Sequence, residues 1–378
     1  MLHYLDNSAT TAVDPQVAQL IYDTMVNCYG NPSSLHSLGL AAEQVMKQAA
    51  GQISTCINCR PGEIYFTSGG TEANNLAVFG AAYAKRRTAE RIVTTAIEHS
   101  SVLEACRQLE KEGFEVVYVR PQPDGHVRTQ DLVDAVDDRT ALVTAMLVNN
   151  ETGAVLDIAG MAKQVRRKNP DTLIHCDAVQ AFGKLPVSVK ALGVDLLTAS
   201  GHKIHAPKGI GFLYKSNKAR ILPRTFGGEQ QKRLRPGTEC VPLIAGFGLA
   251  AQLACGALKE NGEKVRQLSL QLRTRVQEIP GVVVNSPEDA SPYVLNLSAM
   301  GFRSEILLHF LEQNEVYVSS GSACAQGAKS HVLEAMGLER NRVDSAIRVS
   351  LSKYTTQEDL SAFADSLLAA GQKLFRSR

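Results

Sequence analysis

The chain has 378 residues, more than one ordinary core accommodates, which points to two domains. Apolar residues make up 44% and charged residues 21%, the balance of a soluble globular protein. A net charge of +2, no Trp and 6% aromatic residues argue against a nucleic-acid or membrane-surface partner, and eight scattered Cys form no disulfide framework, so a reducing cytoplasm is expected.

Strand-like residues (His3, Tyr4, Leu5) begin the chain, and we expect no secretory leader. Cys56-Ile57-Asn58-Cys59 is a lone C-x-x-C without a second pair or a nearby His set, and we read it as incidental rather than as a zinc site. The stretch Glu63–Asn75 reads as a strand, a glycine turn (Gly69, Gly70) and a helix start, with Thr71 as N-cap. Such a turn is an anion site suited to phosphate, although an ordinary strand-to-helix turn has the same pattern. Its spacing fits neither a Walker loop nor a dinucleotide fingerprint.

Further strands are expected at Arg91–Ala96, Glu115–Val119, Thr140–Val148, Thr172–Cys176, Asp195–Ala199 and Gly211–Tyr214. Helices are expected at Thr71–Lys85, Ser101–Glu112, Ile158–Lys168 and Val187–Leu192. This alternation predicts an α/β fold with a mostly parallel sheet, whose ligands bind at the carboxyl ends of the strands. Three strand ends carry chemistry. His99 follows one and suits either a proton-transfer role or a helix cap. Asp177 ends another and suits either an N-cap or a partner for a pyridinium nitrogen. Lys203 leaves a third behind Ser200, Gly201 and His202. A buried ammonium is costly there, whereas a neutral amine forms a Schiff base; the competing reading is a surface lysine. Asp177 precedes Lys203 by one strand–helix–strand unit, so both reach one sheet edge. Phosphate cradle, acid and lysine together describe a pyridoxal phosphate site.

The uncharged run Val241–Leu258 is too short and glycine-interrupted for a good membrane span and suits a buried or subunit-interface helix. The last third predicts a smaller α+β layer: a helical run Cys255–Glu278, strands Val282–Val284 and Tyr293–Leu297, a helix Ser304–Gln313, and strands Val316–Ser319 and Ala346–Ser350. Ser319–Gly327 is a run of small residues around one thiol, Cys324, which needs local activation to act as a nucleophile. In the alternating stretch Ser345–Leu351, Ile347, Val349 and Leu351 share a face and Arg348 points the other way. It is placed either to clamp a carboxylate or to face solvent.

Taken together, these segments resemble the cysteine desulfurases of the class V aminotransferase group, fold-type I pyridoxal phosphate enzymes. The resemblance runs nearly end to end. It rests on Leu5–Thr11, Gly30–Ser34 with His36, Ser68–Asn75, Glu98-His99, Val148–Gly153, His175–Gln180, Ser200–Lys203 with Pro207-Lys208-Gly209, Arg235–Thr238, Ser320–Cys324 and Arg348. It implies a large cofactor domain (14–254) and a small domain (1–13 with 255–378) that carries the Cys324 loop. It implies pyridoxal 5'-phosphate bound covalently by Lys203, Asp177 on the ring nitrogen, Gln180 on the ring hydroxyl, and His99 stacked on the ring. Gly70, Thr71, Ser200 and His202 would hold the phosphate, with Thr238 reaching in from the second subunit of a homodimer. Asn149 would contact the cofactor and, with Arg348, orient the carboxylate of L-cysteine, near Asn7 and Ala9. Lys203 and His99 would move protons, and Cys324 would take the sulfur as a persulfide. No resident metal is implied, only a transient iron–sulfur contact through Cys324.

The expected acceptor is a protein, an iron–sulfur scaffold or a tRNA-thiolating enzyme, with no direct nucleic-acid or membrane contact. Selenocysteine lyase or aminotransferase activity, or a sulfur carrier that works only with a partner, are the rival readings. The chain departs from the family in a short Ala325–Lys329 segment, in His205-Ala206 where an aromatic residue and Gly are usual, and in Pro236 and Glu239 around Thr238.

Overall fold

The computed structural model describes residues 2–321 and 329–374. A two-residue strand β1 (His3–Tyr4) is followed by the strands of the central sheet: β2 (Ile64–Thr67), β3 (Arg91–Thr95), β4 (Glu115–Val119), β5 (Thr140–Met146), β6 (Leu173–Asp177), β7 (Leu196–Ser200) and β8 (Gly211–Lys215). Among the described residues they form one seven-stranded sheet in the order β2-β8-β7-β6-β5-β3-β4, and β8 alone runs antiparallel to its neighbours. β5, β6 and β7 are buried along their whole length. Helices cover both faces, which is why these strands read as unbroken apolar and β-branched runs rather than as alternating ones.

The expected strands match within two residues at either end. One helix start changes. The helix after β2 begins at Gly70 with Gly69, not Thr71, as its N-cap; Gly69 adopts φ 156°, ψ −177°, a conformation open to glycine. The uncharged run and the helical run after it are two helices, Val241–Gly256 and Leu258–Gln277, within three residues of the expected bounds and bent by 68° at the break. Among the described residues no single helix is long and apolar enough to cross a membrane. Val241–Gly256 is instead mostly buried. It packs against helices Pro15–Asn27 and Ser37–Ile57, which strand-end reasoning had left unread.

A second core holds the last third together. Strands β9 (Val282–Val284), β10 (Val294–Ala299) and β12 (Ala346–Ser350) form an antiparallel sheet, while β11 (Val316–Tyr317) pairs in parallel with β1. Leu5 buries fully in this core beside Leu272, Leu297, Ile347 and Phe363. The N-terminal strand therefore belongs to the last third of the chain, and the residues that follow it are carried to the carboxyl edge of the central sheet.

Candidate active site

The carboxyl edges of β6 and β7 lie side by side, with Asp177 opposite Thr198. This register brings Asp177 and Lys203 to one cavity of about 190 Å³, whose wall also includes Ala9, Gly70, Thr71, His99, Gln180, Ser200, His202 and Arg348. Ten of the fourteen candidate residues thus converge.

Asp177 is fixed by a polar network. Its Oδ1 accepts from the Val179 N–H (2.9 Å) and its Oδ2 from Asn74 Nδ2 (2.7 Å). Asn74 is held in turn, its Oδ1 accepting from Thr198 Oγ1 at 2.5 Å. His175, one strand position behind Cys176, bonds Thr144 and Thr198 and is fully buried; burial pushes its pKa down to about 3, so it serves as a neutral strut. Glu98 ties neighbouring strand ends together: its Oε1 accepts from Thr95 Oγ1 (2.6 Å) and the Met146 N–H (2.9 Å), and burial raises its pKa to about 8.

His99 caps the helix Ser100–Lys111, its Nδ1 accepting from the Ser101 N–H. The cap reading and the proton-transfer reading coexist, because the ring also lines the cavity. Burial lowers its pKa and favours a neutral imidazole. Lys203 sits on a 3-10 turn after β7. Its Nζ donates to the carbonyls of Ser8 (2.5 Å) and Ala9 (2.8 Å), so the segment after β1 aims the amine. Gln180 is clamped at both ends: Nε2 donates to Ser8 O (3.0 Å) and Oε1 accepts from Lys184 Nζ (3.0 Å). Lys184 is buried, which drops its pKa to about 7, with the charges of Lys203 and Arg348 adding to the effect.

Arg348 is 1% exposed, which removes the solvent-facing alternative. Its guanidinium donates to Asp6 Oδ1 (2.8 Å) and Asn150 O (3.0 Å), while its Nε is buried with no hydrogen-bond partner among the described residues. An orphaned cationic N–H is costly unless a ligand anion completes it.

Three candidates are placed elsewhere. Asn149 lies behind the wall: its Nδ2 donates to Ile97 O and its Oδ1 accepts from Glu151 and Thr152, so it shapes the turn after β5, and its neighbour Asn150 lines the cavity instead. Asn7 is buried beside the site with its amide on Tyr4 O and Ser350 O. Thr238 is exposed and absent from its own chain's cavity wall. Cys324 and all of the Ala325–Lys329 segment except Lys329 lie outside the described residues.

Sequence reasoning missed Asn74, Ser8 and Lys184. Asn74 stands three residues after Thr71 on one helix face, and that spacing could have suggested it. At the unusual His205, the backbone adopts φ 66°, and the ring bonds Ala12 O (2.9 Å) and meets Tyr354 edge-on with centroids 4.9 Å apart, so it does the packing of an aromatic residue.

The cavity fits pyridoxal phosphate. A Cβ on Gly70 would lie 3.0 Å from Val179 Cγ2 and 3.5 Å from Ser200 Cβ, so a side chain there would crowd two residues of the cavity wall. Thr71, Ser200 and His202 supply polar atoms beside the helix N-terminus that would hold a phosphate, Asp177 supplies a carboxylate that would pair with a ring nitrogen, and Lys203 supplies the amine.

Comparison with known proteins agrees. Residues 3–363 match the family described as aminotransferase class-V. The cysteine desulfurase IscS of Photorhabdus laumondii is 41% identical over 365 residues, covering 94% of this chain and 89% of the relative. Cysteine desulfurase 1 of Trichormus variabilis is 40% identical over 363 residues, covering 94% and 90%. A solved structure described as a NifS-like protein superposes with a TM-score of 0.94 at 35% identity, covering 99% of this chain and 100% of that one. Another, described as SspA in complex with cysteine, gives a TM-score of 0.83 at 32% identity over 94% and 100%. The chain therefore belongs to the class-V aminotransferase family and, within it, to the pyridoxal phosphate-dependent cysteine desulfurases.

Proposed function

We propose that this enzyme converts L-cysteine to L-alanine and passes the sulfur through Cys324 to an acceptor protein. The observation that carries the reading is the convergence of the Lys203 amine, the Asp177 carboxylate and the Arg348 guanidinium on one cavity. Pyridoxal phosphate, when bound, supplies an electron sink for the substrate α-carbon. The protein's own groups do the rest. Asp177 holds a proton at the ring-nitrogen position. Gly70, Thr71, Ser200 and His202 bind phosphate. Arg348, on the cavity wall, receives the substrate carboxylate, with Asp6 holding the guanidinium in place. Lys203 removes and returns the α-proton, and His99, neutral through burial, accepts and donates protons beside it.

The Cys324 thiolate then attacks the substrate sulfur. An S–S bond forms as the bond from Cβ to sulfur breaks, Cβ keeps the electron pair and gains a proton, and the products are alanine and a Cys324 persulfide. The solved relative bound to cysteine supports the substrate.

The chain further reads as a large domain (14–254) and a small one (1–13 with 255–378), acting in the cytoplasm as a homodimer in which Thr238 completes the second subunit's phosphate site. The acceptor is read as an iron–sulfur scaffold or a tRNA-thiolating enzyme. Turnover of L-cysteine by cofactor-loaded protein with a reductant tests the proposal: equimolar alanine and sulfide are expected, and absence of alanine from the loaded enzyme would refute it.

A further inference from the structure

Outside the active site, two cysteines distant in sequence, Cys56 and Cys255, line one cavity. Cys56 closes the helix Ser37–Ile57 and Cys255 closes the helix Val241–Gly256. The helices run side by side in the same direction. Gly248 lies against Ala49, so close that a Cβ on Gly248 would be 2.7 Å from the Ala49 Cα, and one turn on Gln52 Nε2 donates to Gln252 Oε1 at 2.6 Å. The next turn brings Cys56 to Cys255. Cys56 Sγ donates to Ala251 O at 3.4 Å, on the turn of the partner helix just before Cys255.

Both thiols line an open cavity of about 850 Å³, separate from the active site, that admits small solutes. Cys59, the other half of the C-x-x-C, is not on its wall; its thiol turns to Arg60 O, and burial raises its pKa to about 12. The structural partner of Cys56 is therefore 199 residues away in sequence, 255 less 56, and not its motif neighbour.

We propose that Cys56 and Cys255 are a thiol-modification site that closes to a reversible intramolecular disulfide when the enzyme meets a hydroperoxide. Close helix backbones bring the two Cβ atoms toward the short separation that a disulfide requires. The Cys56 thiolate attacks the peroxide, its sulfur becoming a sulfenic acid as the O–O bond breaks and water leaves. The Cys255 thiol then attacks that sulfur, an S–S bond forms and a second water leaves, so two thiols and one hydrogen peroxide give one disulfide and two waters. The attacking role falls to Cys56 because its interaction with Cys255 lowers its pKa, whereas the same interaction and burial raise that of Cys255. Gly183, next to Lys184, lines the same cavity, so the pair adjoins the segment that clamps Gln180.

The test is peptide mapping of the holoenzyme after brief treatment with hydrogen peroxide, quenching, and alkylation of remaining thiols in denaturant. A Cys56–Cys255 cross-linked peptide is expected as the main disulfide, reversed by dithiothreitol, retained in Cys59→Ser and lost in Cys255→Ser. Recovery of both thiols alkylated at doses that oxidise other cysteines would overturn the proposal, as would cross-linking of Cys56 to Cys59. The wild-type map alone decides if a variant fails to fold.

Discussion

The active-site cavity has two walls built in different ways. One comes from consecutive strand ends of the central sheet: Asp177 and Ser200 end β6 and β7, Lys203 follows β7, and Asn74, Thr198 and His175 brace this edge through hydrogen bonds of 2.5–3.3 Å. The other is assembled from opposite ends of the chain. Ser8 and Ala9 follow the first strand, Arg348 lies on β12, and the Asp6–Arg348 pair spans 342 positions. The first wall supplies the groups suited to hold a cofactor, and the second supplies the groups suited to place a substrate against it. Damage to the first should lower kcat and cofactor retention, and damage to the second should fall mainly on KM.

The largest effect is expected at Lys203. Lys203→Ala should lower kcat by about 10³-fold or more, and its pyridoxal phosphate should wash out on gel filtration, where the wild type retains it. A variant that keeps both activity and yellow colour would break the comparison at its strongest point. Asp177→Asn comes next, with a kcat loss of about 10²-fold or more, because a neutral amide does not hold a proton on the ring nitrogen. The same change sets an amide N–H against either Val179 N–H or Asn74 Nδ2, so a fall in Tm should accompany the kinetic loss.

Across the cavity, Arg348→Lys should raise KM for L-cysteine about 10- to 100-fold with a smaller change in kcat, the loss of a charge-assisted hydrogen bond to the carboxylate. Asp6→Asn, which only releases the guanidinium, should shift KM in the same direction by less. Steady-state kinetics on the pair separates the two, and a kcat-dominated loss in Arg348→Lys would show that the second wall does chemistry as well as placement.

The smallest effect concerns His205, where the folded pKa falls to about 4, chiefly through burial. Its folded pKa is depressed below the ordinary histidine value of about 6.5, so below that pH the unfolded chain binds a proton that the folded chain refuses. Stability is therefore lost as pH falls from about 6.5 toward 4. His205→Phe should flatten the pH dependence of urea unfolding over that window by about 1.4 kcal/mol per pH unit. Parallel curves for the two proteins would contradict the assignment.

The two walls also differed in how far the sequence revealed them. Lys203 and Asp177 were legible because a charged residue after a buried parallel strand has few purely structural reasons to be there, and strand ends in such sheets share an edge. Asn74 was visible in its motif yet unassigned, because its role depends on facing Asp177 across a turn. Asn149 was placed in the cavity by resemblance, and the turn after β5 turned its amide onto the backbone. Arg348 was legible only as a choice between carboxylate and solvent, since its partner Asp6 lies at the other end of the chain. Cys56 shows the same limit: its sequence neighbour Cys59 drew attention, whereas helix packing gave it Cys255. Local patterns carried the sheet edge, and long-range packing decided the rest.

The proposed reaction turns on Cys324 as the sulfur carrier. The direct measurement is a pulse of L-cysteine on the cofactor-loaded enzyme without reductant, followed by peptide mass mapping and quantification of alanine. One added sulfur atom on the Cys324 peptide, matched by one alanine per active site and absent from Cys324→Ala, is the predicted result. Alanine formed with Cys324 unmodified, or undiminished turnover in Cys324→Ala, would contradict it.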